Sequence, residues 1–172
     1  MKKAIWLVGA VGVLWGLWRV YKFVNRPEHP DPVPITLEEL ALHDGVQKST
    51  VYLSFQGYVF DVSSVTHYKK GEGSYQAFGA RECAIALVRG QFEDQHMNQL
   101  VEGKDEKERA DLQHWLEFYL NKYPMVGFLK EWRTYEDAIQ ITSKYRKAEG
   151  ADTAAPFGGQ SSKAAGSTQE DT

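Results

Sequence analysis

The sequence predicts an α+β domain carried on an N-terminal single-pass transmembrane helix. Three observations point there. Val51, Leu53 and Phe55 alternate with Tyr52 and Ser54, the period of a half-buried strand, and Gln56-Gly57 turns the chain into a second strand over Tyr58 to Val62. Leu112, Trp115, Leu116, Tyr119 and Tyr123 repeat at helical spacing. Ala4 to Trp18 is an uncharged run of 15 residues, set between Lys2-Lys3 and the cations Arg19, Lys22 and Arg26.

Taken from the N-terminus, residues 1–25 read as the anchor. The uncharged run alone is shorter than the roughly 20 residues a bilayer crossing needs. Val20, Tyr21, Phe23 and Val24 extend it, and Arg19 and Lys22 have stems long enough to snorkel to the interface. Trp6, Trp15, Trp18 and Tyr21 lie near its ends, where aromatic belts form. Trp18-Arg19-Val20-Tyr21 offers no small-residue cleavage site, so the segment reads as uncleaved. Gly12 and Gly16 form a G-x-x-x-G suited to close helix packing.

Residues 26–34 contain four prolines and read as a stiff spacer between anchor and domain. The domain spans 35–130. Thr36-Leu37-Glu38-Glu39 is a capping box that opens a short helix ending near Asp44-Gly45. The two strands follow, and then a helix is predicted over Ser74 to Val88, with Gly79 inside it marking a close approach. Phe92 to Leu100 reads as short helical or irregular chain. Asp105 caps a long helix over Glu106 to Tyr123, and Pro124 stops it by forcing Tyr123 out of the helical region. Val126 to Leu129 reads as a short strand. Residues 131–148 form a helical C-terminal extension, and 149–172 are poor in large apolar residues and read as disordered.

Composition excludes several functions. A formal net charge of −3 without a basic stripe leaves no nucleic-acid footprint. The single cysteine, Cys83, rules out an internal disulfide framework and a Cys-rich zinc site, and reads as a small apolar helix residue. No paired carboxylates, nucleophile triad or metal cluster stands out, so the chain reads as non-catalytic.

The stretch from Val59 to Ala84 carries more. It contains Val59-Phe60-Asp61-Val62, then Tyr68, Gly71-Glu72-Gly73, Tyr75 and Phe78-Gly79-Ala80-Arg81-Glu82-Cys83-Ala84; farther on stand Lys122-Tyr123-Pro124 and Val126-Gly127. This order resembles the cytochrome b5-like haem/steroid-binding domain of the membrane-associated progesterone receptor family, the group of neudesin and neuferricin. The resemblance covers about Ile35 to Leu129. It departs from the family pattern in two places: the loop from Tyr68 to Tyr75 is one residue longer and lacks proline, and the F-A-G-R order is rearranged.

The resemblance implies a cytochrome b5-like fold, haem b as cofactor and Tyr75 as the axial iron ligand. It implies that Tyr68, Lys122 and Tyr123 complete the cofactor site, that steroids are a ligand class, and that a haem-stacked homodimer can form. Partners implied are membrane redox or sterol-metabolising enzymes such as haem-thiolate monooxygenases. The implied location is the endoplasmic reticulum membrane with the domain facing the cytosol, the mitochondrial inner membrane being the alternative. Tyrosine is an established haem ligand, and a bound ferric ion favours the phenolate it needs. Lys69 and Lys70, in the same loop, are candidate partners for propionates on charge alone.

Two alternatives stand beside this. His67 sits in the loop and, with His96 or His114, would make a bis-histidine site. Or the fold persists without haem, as an accessory or structural subunit of a membrane complex.

Overall fold

The computed structural model describes residues 14–21, 24–143 and 145. The anchor over 1–25 falls largely outside the described residues, and the tail over 149–172 wholly so. Within the described part, residues 14–21 are helical. Among the described residues no helix is long and apolar enough to cross a membrane.

Four strands form one sheet: β1 (Val33–Ile35), β2 (Tyr52–Phe55), β3 (Tyr58–Asp61) and β4 (Met125–Leu129), in the order β1-β4-β3-β2. The β2–β3 hairpin turns at Gln56-Gly57, where both residues take positive φ. β4 runs antiparallel to β3 and parallel to β1. The sequence reading placed Val33 and Pro34 in the spacer, and the structure adds them to the sheet. Gly127 makes room, since a Cβ there would stand 2.5 Å from the Val33 carbonyl oxygen. The rest of the spacer docks too. His29 is buried, and its Nδ1 accepts the Met125 N–H at 3.0 Å.

The sheet separates two apolar clusters. The larger holds Leu53, Phe55, Phe60, Met125 and Phe128 with the helices; the smaller holds Ile35, Leu40, Val59 and Leu129. Strict alternation would send Met125 and Phe128, three residues apart, to opposite faces. The register shift between Val59 and Phe60 inserts one extra residue in β4 and returns both to the larger core.

Four helices complete the domain: α1 (Leu37–Leu42), α2 (Ala84–Arg89), α3 (Glu106–Lys122) and α4 (Tyr135–Ser143). The caps read from sequence are present. Thr36 accepts the Glu39 N–H at 2.9 Å, Asp105 accepts the Glu108 N–H at 2.8 Å, and Tyr123 ends α3 in extended backbone. Leu112, Leu116, Tyr119 and Leu120 are the buried face of α3.

The helix predicted over Ser74 to Val88 shrinks to α2. Residues 80–83 run alongside β2 instead: Ala80 N–H donates to Tyr52, Ser54 N–H to Arg81, and Cys83 N–H to Ser54. These bonds to the sheet satisfy the groups a helix would have satisfied internally. Ala80 sits at φ 62, which no helix interior tolerates. Gly79 packs as read from sequence, its Cβ position lying 2.3 Å from the Tyr68 carbonyl oxygen.

Candidate tyrosine-lined site

The chain from Thr66 to Tyr75 doubles back on itself. Thr66–Tyr68 is a 3-10 turn, and the Tyr75 N–H returns to the His67 carbonyl at 2.9 Å. Gly73 makes the return possible, because a Cβ there would lie 2.1 Å from that same carbonyl oxygen. Gly71, at φ 81, takes the left-handed turn that precedes it, and its N–H donates to the Gln76 side chain. The longer loop therefore still closes, and it sets Tyr75 against Tyr68 with ring centroids 5.8 Å apart.

From there a ladder of rings runs inward. Tyr68 meets Tyr123 edge-on at 6.2 Å, and Tyr123 meets Tyr119 at 5.9 Å. Tyr68 and Tyr123 are buried, whereas Tyr75 is 50% exposed. Lys122 is exposed and holds its Nζ 5.0 Å from the Phe118 ring centre and 5.2 Å from that of Tyr123. Three of the four residues named from sequence thus form one continuous contact, and Lys122 joins it through Tyr123.

Burial separates the phenols chemically. It pushes the Tyr68 hydroxyl well above the ordinary tyrosine range, with the neighbouring Tyr123 adding to the rise. Burial does the same to Tyr119. Tyr68 and Tyr119 therefore stay neutral, and Tyr75 is the rung open to solvent.

Sequence reasoning missed the aromatic flank of Tyr75. Phe78 stacks on it at 6.1 Å, and Phe92, 58% exposed, tilts against Phe78 at 5.8 Å. Tyr75 and Phe92 thus present exposed rings on either side of the buried Phe78. The signal of this flank in the sequence was Phe92 standing two residues after the glycine that ends α2.

Other candidates resolve differently. Lys69 pairs with Glu72 at 2.6 Å and Lys70 with Asp44 at 3.3 Å, so each cation already has a carboxylate. His67 lies 6.2 Å from Tyr75, on the same loop. His96 engages Glu93 and Gln95, and His114 lies on the outer side of α3. Cys83 is fully buried with its thiol on the Ser54 carbonyl, and burial pushes its pKa up.

Glu82, beside it, is the residue whose role the sequence concealed. It is fully buried, and its carboxylate accepts from Ser54 Oγ and from the N–H groups of Gln56, Gly57 and Ala84 at 2.6–3.0 Å. It ties the hairpin turn to the start of α2. Burial raises its pKa, and the four donors act against that rise.

Two of the cavities among the described residues bear on these elements. One, of about 600 Å³, lies between Asp44, Tyr68, Lys70, Arg81 and Asn98. The other, of about 690 Å³, lies between the helical residues 14–21 and the outer side of α3. Tyr75 lines neither.

No model of a protein family matches the chain. Among individual proteins, Probable steroid-binding protein 3 of Arabidopsis thaliana is 30% identical over 93 residues, covering 54% of this chain and 93% of that protein. The chain belongs to the membrane-associated progesterone receptor family. Membrane steroid-binding protein 2 of the same plant is 30% identical over 76% of this chain, which spans 59% of that relative. A Schizosaccharomyces pombe protein named cytochrome P450 regulator dap1 is 27% identical over 72% of this chain and 78% of its own length. A solved Arabidopsis thaliana structure described as having a cytochrome b5 like fold superposes with a TM-score of 0.51 at 27% identity, covering 59% of this chain and 94% of that one. The α+β fold of this family member is cytochrome b5-like.

Proposed function

We propose that this chain is a membrane-tethered haem-binding module in which Tyr75 ligates the iron, and that it assists membrane redox or sterol-metabolising enzymes. One observation carries the ligand: Tyr75 is the half-exposed end of a tyrosine ladder whose inner members are buried. A phenol must shed its proton to bind iron, and burial makes that costly at Tyr68 and Tyr119. Bound haem would supply a ferric centre that the hard phenolate oxygen favours over the ferrous form.

The remaining residues orient and shield. Tyr68, held neutral by burial, keeps a hydroxyl proton to donate beside the ligand. Phe92, exposed and backed by the buried Phe78, gives an apolar edge to a macrocycle. Lys122 brings a cation for a propionate, supported from below by Tyr123. The named functions of the relatives, steroid binding and regulation of a cytochrome P450, support the ligand and partner classes.

The tether rests on the apolar run from Ala4 and on exposed Trp15, Trp18 and Tyr21 in the described helix. The endoplasmic reticulum is the membrane we assign, with the domain in the cytosol.

Haemin titration of the detergent-solubilised full chain tests the ligand. A stoichiometric, high-spin tyrosinate-type ferric spectrum that vanishes in Tyr75→Phe is the expected result. A low-spin spectrum that survives Tyr75→Phe would shift ligation to His67. Absence of saturable binding by the folded chain would leave an accessory subunit without cofactor.

A further inference from the structure

The end of α1 carries a buried imidazole whose two nitrogens are both engaged. His43 stacks flat on Tyr52, with ring centroids 3.9 Å apart. Its Nδ1 lies 2.6 Å from Thr50 Oγ1, and its Nε2 lies 3.0 Å from Lys48 Nζ. An ammonium only donates, so Nε2 is the unprotonated nitrogen and Nδ1–H the donor to Thr50. This arrangement holds only while the imidazole is neutral. A proton on Nε2 removes the acceptor and sets two cations face to face.

The groups around the ring pull in two directions. Burial opposes protonation most strongly, and Lys48, from the turn over 44–50, adds to it; Glu39 of α1 and Asp61 of β3 favour it. Tyr52, on β2, faces the ring as a stack. The balance lowers the His43 pKa from 6.5, so the contact is complete above pH 6.5 and drains away as pH falls below it.

The same turn grips the tyrosine loop. Asp44, next to His43, accepts the Lys70 N–H on its carbonyl at 3.1 Å and the Lys70 ammonium on Oδ2 at 3.3 Å. Gly45 follows with no room for a Cβ, which would stand 2.5 Å from Lys69 Cγ. Lys69 and Lys70 lie between Tyr68 and Tyr75. We propose that the His43–Lys48 contact is an acid-sensitive latch on the tyrosine loop, closed while His43 is neutral and released when Nε2 takes a proton. Release leaves Lys48 to Glu39 alone, 3.5 Å away, and loosens the turn through which Asp44 holds Lys70. The consequence for haem rests on the reading of Tyr75 as its ligand: acidification slackens the loop and lets the cofactor go.

Hydrogen exchange of the haem-free full chain, corrected for intrinsic rates, tests the latch at about pH 7.5 and about pH 5, either side of the ordinary histidine range. Amides over 44–50 and 66–75 should exchange about tenfold faster at the lower pH, relative to β3 and β4. His43→Gln offers Lys48 an uncharged acceptor and should keep both segments protected at both pH values. Lys48→Met removes the donor and should leave both segments exchanging fast at both. Such opposite outcomes cannot come from a shared loss of folding. An equal acid response in wild type and His43→Gln overturns the latch, as does a response confined to 44–50. Haemin transfer to apomyoglobin then reads the site: at the lower pH, wild type should release haemin about tenfold faster than His43→Gln. Equal release from the two overturns the control of the site. A chain that never takes up haemin counts against the ligand reading instead, and the exchange pattern still decides the latch.

Discussion

Two parts of the same core bury polar groups in opposite ways. Around Glu82 the carboxylate is sealed, and each oxygen receives two donors from the hairpin turn, Ser54 and α2. Around Tyr75 the polar groups form a ladder whose inner hydroxyls are buried and whose last ring faces solvent. The first arrangement has no capacity left for a ligand. The second ends in an open valence, backed by rings that fix its position. Closed polar networks specify a fold, and open ones can accept a partner.

Breaking the closed side should have the largest effect. Glu82→Ala leaves three N–H groups and a hydroxyl buried without an acceptor, and should cost about 3–5 kcal/mol in urea denaturation of the full chain. Next comes the hinge between the two regions. Gly73→Ala places a Cβ against the His67 carbonyl, so the loop must open. A cost of about 1–3 kcal/mol is expected, with weakened haemin binding because Tyr75 moves off Tyr68.

Acid probes the scaffold more gently. Glu108 is held by the Arg89 guanidinium and the Lys104 N–H, which lower its pKa from 4.5 to about 2. The unfolded chain takes up that proton first as pH falls, so the contribution is complete above pH 4.5 and drains away between there and about pH 2. Asp44 is lowered too by the Gln47 and Val46 N–H groups, against its own desolvation, and steepens the same loss. Glu108→Gln should flatten part of this slope in urea midpoints measured across that range.

The smallest change in stability belongs to the open side. Tyr75→Phe removes a hydroxyl that faces water and should shift stability by less than about 0.5 kcal/mol, while abolishing the tyrosinate spectrum. A large stability loss in that variant would mean that the ladder is scaffold, closed in the same way as the surroundings of Glu82.

Much of this was legible in the sequence. Tyr68, Tyr75 and Tyr123 lie 55 residues apart at the extremes, yet the resemblance of their motifs to the family pattern was enough to expect them together. The caps at Thr36 and Asp105 and the stop at Pro124 are local chemistry, and local chemistry reads well. What failed was tertiary. Nothing between Ser74 and Cys83 announces that residues 80–83 bond to β2, because those partners lie some 28 residues upstream. The apolar spacing there is compatible with a helix until the sheet competes for the same N–H groups. Val33–Ile35 were hidden for a like reason: three residues amid prolines become a strand only because Gly127 lets β4 approach. Glu82 did leave a trace, a lone acid ahead of the apolar run Cys83 to Val88.

The docked spacer has a mechanical meaning. His29 grips the amide of Met125, two positions beyond Tyr123, and β1 is laced along β4. A pull or twist on the N-terminal helix is thus delivered to the strand that begins where the tyrosine ladder ends. In the membrane-tethered reading that we propose, the tether becomes a handle on the site, and crowding or thinning of a surrounding bilayer would be felt at Tyr123.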